Sequence, residues 1–353
     1  MKQGKANKLI IVAVVVVIAA AAMLLLRPAR PAYTVRDLGP SLLKAINNNG
    51  QVVGWTRPPE PQISFIQDPH NERQEIPNPE GKVCFACDIN DKGKVVGYLS
   101  DVNSSYCSAF IYDEQAGMTE LGTLGGASSF ANAINNKHQV AGWAFVRGDM
   151  RHAFLWDSAA GMQNLGTLGG KHSQAFAVND KGQVVGSSRL PDGQTRAFLW
   201  EKSTGMIDLG ALGPAESCAM SINNLGQVVG HSTSSGKERR ACAFVWDAKG
   251  GMRELEVPGQ DSYAFDICDS GRILGVYYMY GLRLLIPPRL TFFIWDSDRG
   301  IIKLGDIPQL KAGDYDPSHM NNKGQVAGTL TFDSGPDRGV VLTPKAKSKK
   351  KNE

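Results

Sequence analysis

Three sets of residues in this chain are of types that could hold a metal or move a proton: seven Asn/Asp-rich segments, six histidines and six cysteines. The Asx-rich segments, such as Asn135-Asn136-Lys137-His138 and Asn179-Asp180-Lys181-Gly182, could form a ring of oxygen ligands. They lack the dense carboxylate spacing of a calcium loop, and a tight turn selects the same residue types because Asn and Asp bond to nearby backbone. The histidines (His70, His138, His152, His172, His231 and His319) fall at different places in the repeat, with no His-x-x-x-His or His-x-His spacing. Cys84-x-x-Cys87 would need a second ligand pair to hold zinc, and none has suitable spacing. No Gly-x-Ser-x-Gly elbow or P-loop is present, and no carboxylate pair stands out from the dispersed charges. The sequence therefore assigns no catalytic residue, no metal ligand and no cofactor.

What positions these residues is a repeat. Copies of Asn-Asn-x-Gly-Gln-Val-Val-Gly end at Gly54, Gly97, Gly142, Gly186, Gly230, Gly275 and Gly328, in steps of 43, 45, 44, 44, 45 and 53 residues. A fixed period in the range of about 20 to 50 residues marks a solenoid, propeller or array. Within one copy, Ala131 to Gly142 reads as a hairpin around a polar turn. Ala153-Phe-Leu-Trp-Asp157 is a bulky strand, and Met162-Gln-Asn-Leu-Gly166 a fourth. Four short strands in about 44 residues make one propeller blade.

The first strand belongs at the central axis, where Ala131, Ala133, Ala175, Ala177, Ala219 and Ser221 suit the taper, and the fourth belongs outside. The third-strand Phe and Trp should fill the space between blades. The last copy ends at Gly339-Val-Val-Leu-Thr343 without a fourth strand, and Tyr33-Thr-Val-Arg-Asp-Leu-Gly39 supplies the missing one from the other end. The expectation is an all-β, seven-bladed β-propeller over 33–344, closed by an N-terminal strand and preceded by one transmembrane helix. Closure removes the edges that an open row of blades would expose.

The flanks carry the remaining signals. Leu9 to Leu26 is an 18-residue apolar run after Lys2, Lys5 and Lys8. At about 1.5 Å per residue it just spans a bilayer. It reads as a retained signal anchor, with residues 1–8 cytoplasmic and 27–32 a Pro-rich spacer; a cleaved signal peptide is the alternative. Either sends the rest of the chain out of the cytoplasm, to the periplasm or cell surface. The net charge of +4 lives in these flanks, since 1–30 carry +5 and the 345–353 tail +4. The body is thus acidic overall and offers no footprint for nucleic acid. The even cysteine count suits an oxidising compartment and permits three bridges, with local links among Cys84, Cys87 and Cys107 and between Cys218 and Cys242.

The elements Ala197-Phe-Leu-Trp200, Leu121-Gly-Thr-Leu-Gly-Gly126 and Ala133-Ile-Asn-Asn136, with Gly226-Gln-Val-Val-Gly230, resemble the HAF-repeat family of extracellular repeat proteins. The resemblance implies export and a repeat β fold but no defined activity. Departures at Cys268-Asp269, at Pro258-Gly259 and in the insert 277–291 put the regularity of that copy in doubt.

That insert is the one apolar addition to the repeat. Tyr278, Tyr280, Arg283, Leu284, Leu285 and Arg289 are of the types enriched in binding hot spots, and they form the candidate ligand- or partner-binding set. A packing role, with Tyr277 to Tyr280 lengthening the second strand and Leu284 to Ile286 the third, is the competing account. Two functions follow. The favoured one is a monomeric, membrane-anchored, non-enzymatic scaffold binding an envelope protein or glycan; the alternative is an extracytoplasmic hydrolase or lyase acting on glycans or peptides.

Overall fold

The computed structural model describes residues 33–57, 61–214, 216–235, 239–280 and 289–345. The apolar run 9–26 and the basic tail from 346 onward lie outside them, and among the described residues no helix is long and apolar enough to cross a membrane. Within them the chain forms seven four-stranded antiparallel sheets. Blades one to six take consecutive strands over 42–76, 82–120, 129–164, 173–208, 217–254 and 261–303. Blade seven joins Asp314–Met320, Val326–Thr331 and Arg338–Pro344 to the N-terminal strand Tyr33–Pro40, which pairs Tyr33 with Pro344 and Pro40 with Arg338. The expected closure is present. Blade six, for all its departures, is a regular four-stranded sheet.

The innermost strand of each blade carries a register shift, between Ala131 and Ala133 in blade three and at the matching place in the other six. The bulge brings that strand's backbone against the glycine that ends the sequence repeat. A Cβ on Gly186 would lie 1.9 Å from the carbonyl oxygen of Gln174, and Gly54, Gly97 and Gly230 are hemmed in the same way. The repeat's terminal Gly is therefore a packing requirement of the bulge.

Between blades the third-strand rings Phe65, Phe110, Phe154, Phe198, Phe244 and Phe293 are fully buried, as the side-chain sizes predict. The Trp residues are less uniform: Trp200 is buried, while Trp156, Trp246 and Trp295 pack only partly buried against the same clusters. Each cluster mixes residues of two neighbouring blades, so the core is a set of wedges around an open axis.

Candidate functional site

The seven polar turns meet at one mouth of the axis. In each, the first Asn bonds its own turn and reaches the next blade. Asn135 Oδ1 accepts from the amides of Lys137 and Gln139, and its Nδ2 donates to the carbonyl of Asn179 at 2.8 Å. Asn47, Asn90, Asn179, Asn223 and Asn321 do the same to their neighbours; at blade six the residue is Cys268, and no such amide is there to give.

The second turn position forms a further ring: Asn48, Asp91, Asn136, Asp180, Asn224, Asp269 and Asn322. Each amide–carboxylate neighbour pair shares two bonds, one from a backbone N–H and one from an Asn Nδ2. Asn48 to Asp91, at 2.8 and 2.9 Å, is typical. Only one bond, from the amide of Asn322 to Asn48 Oδ1 at 2.8 Å, joins blades seven and one. The sequence explained these residues by turn chemistry; their reach across blades was not readable from one copy.

One residue before the turn's apolar anchor, the inward position holds Ala45, Asp88, Ala133, Ala177, Ser221, Asp266 and His319. Three copies thus place an ionisable side chain where the taper calls for a small one. Asp88 accepts from the amides of Ile89 and, in the next blade, Ile134, at 2.8 and 2.9 Å. Asp266 accepts from Ile267, from Met320 of the next blade at 2.6 Å, and from Ser221 Oγ at 2.9 Å.

His319 Nδ1 lies 3.1 Å from the carbonyl oxygen of Ile46, to which it donates when protonated. The amide of Ile46 lies 3.4 Å from the same nitrogen and donates to it when Nδ1 is unprotonated, so the ring's protonation decides which bond forms. Nε2 lies 3.7 Å from Asp266 Oδ2. Asp266 and His319 bridge blades six to seven and seven to one, the two junctions where the Asn rings are short of a bond. Asp88 bridges a junction where both rings are intact.

Burial pushes the Asp88 carboxyl up to about 6, against the pull of His319 and two amide bonds. For His319, burial opposes the charged ring, but the carboxylates of Asp266 and Asp88 and the bond to Ile46 outweigh it, and its pKa is raised. These groups face a cavity of about 310 Å³ on the axis. Its lining at the adjacent inward position includes Phe176, Met220 and Phe265, on the consecutive blades four, five and six. Sequence reasoning passed over Asp88 and Asp266, and it set His319 aside with the other histidines for want of ligand spacing. The signal was their departure from Ala or Ser at one repeat position.

At the opposite end of the innermost hairpins, half-buried rings form an arc over blades one to three. Phe85 stacks on Tyr98 at 4.8 Å and Phe130 on Trp143 at 4.2 Å, while Trp55 and Tyr98 meet the next blade's ring at 5.6 and 5.1 Å. Lys44 Nζ lies 4.9 Å from the Trp55 ring and the Arg151 guanidinium 5.5 Å from that of Trp143. The stacked faces cover one another, which makes the arc a packed rim.

Of the residues singled out in the insert, Tyr278 and Arg289 lie on a lengthened hairpin. Tyr278 pairs with Leu290 and Met279 with Arg289, so the second strand is extended through Met279. Tyr280 stacks on Tyr278 and donates to Asp261 Oδ2 at 2.7 Å; Tyr278 meets Tyr263 edge-on. Arg283, Leu284 and Leu285 lie outside the described residues.

The cysteines correct an expectation, because all six are free thiols. Cys84 and Cys87 lie three residues apart on one strand, about 10 Å, beyond the roughly 7 Å that a disulfide spans. Burial pushes both up to about 12, which keeps them in the thiol form. Among the described residues no group of three or more His, Cys, Asp or Glu is placed to hold a metal ion.

The model of one protein family matches residues 55–168 and again 163–256, which together exceed half of the chain. The chain belongs to this family, described as "Protein of unknown function (DUF3466)". That finding replaces the HAF-repeat resemblance, which rested on short elements that a four-strand blade with polar turns and small axial residues itself demands. No curated protein matches the chain.

Solved structures similar to this DUF3466 chain share its fold at low identity. Virginiamycin B lyase from Staphylococcus aureus is 10% identical, with a TM-score of 0.56 over 89% of this chain and 100% of that one. Oligogalacturonate lyase from Vibrio parahaemolyticus is 9% identical, with a TM-score of 0.54 over 88% and 97%. The β-propeller domain of the Trilobed protease from Pyrococcus furiosus, described as an open velcro topology, is 12% identical, with a TM-score of 0.58 over 87% and 97%.

Proposed function

We propose that the protein is a membrane-tethered, non-enzymatic binding propeller that works outside the cytoplasm and holds a small ligand in its axial cavity. One observation carries the reading: ionisable side chains replace Ala or Ser at a single inward repeat position, and all three face the same cavity. Asp266 and His319 also close blade junctions, but at the junction of Asp88 both Asn rings are intact, and architecture alone would keep a small residue there, since burying a carboxylate costs stability. The tether rests on the 9–26 run and the lysines before it. A second contact surface, for an envelope protein or glycan, is the tall hairpin of blade six, where Met279, Tyr280 and Leu290 are exposed. A differential-scanning screen of the full chain against small polar metabolites tests the cavity. Saturable stabilisation by one chemical class, lost when Phe176→Trp fills the cavity, is the expected result; no stabilisation by any class would sink it.

The hydrolase or lyase alternative is favoured by one feature, a carboxyl held near 6 in the same cavity as a histidine, which suits general acid–base work. Turnover of oligosaccharides or peptides that disappears in Asp88→Asn with no fall in melting temperature would establish it.

A further inference from the structure

We propose that the axial cavity takes a small organic cation, a protonated amine carried on a short apolar body. The inference rests on the reading of this cavity as a ligand site and adds the ligand's chemistry. Two walls at adjacent levels argue for it. The apolar one is the arc of Phe176, Met220 and Phe265. Beside it stand the carboxylates of Asp88 and Asp266, and the Asp91, Asp180 and Asp269 carboxylates close the floor. Against these acidic groups the lining offers only Lys44 and His319 as bases, and the Lys44 ammonium lies against the Trp55 ring of the aromatic rim.

A ligand that satisfied both walls would have to present positive charge and hydrocarbon within a few ångströms. An anion would meet the carboxylates, and a neutral apolar molecule would leave the five of them with only Lys44 and His319 as counter-charges. Phenylalanine rings and carboxylates lining one cavity favour an ammonium group on two counts, charge pairing and the ring quadrupole. Asp88 is the chief anchor, because both blade junctions beside it are already stitched by the Asn rings and its charge is not needed there. The ionisable groups facing it are His319 and Asp266 across the axis, Cys87 beside it and Lys44 on blade one.

The test is calorimetric titration of the full-length chain with n-hexylammonium, hexanoate and hexanol, at pH 5 and pH 8, in wild type, Asp88→Asn and Phe176→Trp. Saturable hexylammonium binding is expected, at least 10-fold tighter than either control and stronger at pH 8 than at pH 5. It should weaken 10-fold or more in both variants, each checked for no fall in melting temperature. Saturable binding of hexanoate or hexanol in preference to the amine, lost in Phe176→Trp, would overturn the cationic class and leave the cavity as a ligand site. Absence of saturable binding by all three probes would overturn both.

Discussion

Asp88 is the residue at which architecture and chemistry part company. Its carboxyl sits at about 6 in the fold against about 3.9 in an unfolded chain, so between these values the folded form holds more protons. A raised acid makes stability fall as pH rises, here from about 4 to about 6, by at most about 3 kcal/mol. The raised His319 contributes stability below about 6.5 that is lost as pH climbs through its higher folded value, which extends the fall towards neutrality. Urea unfolding at pH 4.5 and 6.0 should show the Asp88 part vanish in Asp88→Asn, and an unchanged slope would refute it.

Gly186 makes the opposite point, a residue whose role is wholly steric. Gly186→Ala puts a methyl 1.9 Å from a backbone oxygen, and the innermost hairpin must shift to admit it. A loss of about 3 kcal/mol or more is expected in chemical unfolding. Both residues were open to view in the sequence. The glycine announced itself by recurring seven times, whereas the aspartate is a solitary departure, and a reading built on repetition discounts those.

At the level of elements, strand number, strand order and blade count were legible because each is written seven times in period-two patterns and turn residues. The bulge was not, since an extra residue in an inner strand changes pairing without changing composition. The tall hairpin of blade six was half legible. Its length is in the sequence, but its docking onto Gln260 and Asp261, through Tyr280 N to Gln260 Oε1 at 2.9 Å and the Tyr280 hydroxyl to Asp261, is a tertiary fact. That docking makes packing and partner contact separable. Tyr280→Phe removes one bond from an exposed ring and should change the melting temperature by only a degree or two. Tyr278→Ser with Tyr280→Ser also strips the edge-on contact with Tyr263, and a fall of 5 °C or more would mark the hairpin as a packing element. Unchanged melting with lost capture of an envelope ligand would mark it as a contact surface.

For the whole molecule, the ends of the chain set the geometry. The N-terminal strand begins and the last strand finishes on the side of the polar turns, where Tyr33 pairs with Pro344. With a spacer of six residues, about 20 Å at full extension, a tether would hold that mouth towards the bilayer and turn the aromatic rim away. The tail from Lys345 would then hang over lipid headgroups, and a tailless chain should bind anionic liposomes less well at low salt. Deleting 33–39 should lower the melting temperature sharply and give oligomers by gel filtration, because Arg338–Pro344 becomes an open edge; an unchanged monomer would contradict the closure.

The outer turn ring adds a constraint of parity. Amide and carboxylate alternate around it, and a two-letter alternation on a closed cycle of odd length must fail once. It fails between Asn322 and Asn48, at the seam where the two ends of the chain come together. No substitution can abolish the mismatch, only relocate it: Asn322→Asp would set two carboxylates side by side at Asp269, and Asn48→Asp would do so at Asp91. An eighth copy carrying Asp, inserted between the last blade and the first, would make the cycle even and let every junction carry both bonds. The inter-blade wedges hold the number at seven, and the turn ring accepts one mismatched junction as the result.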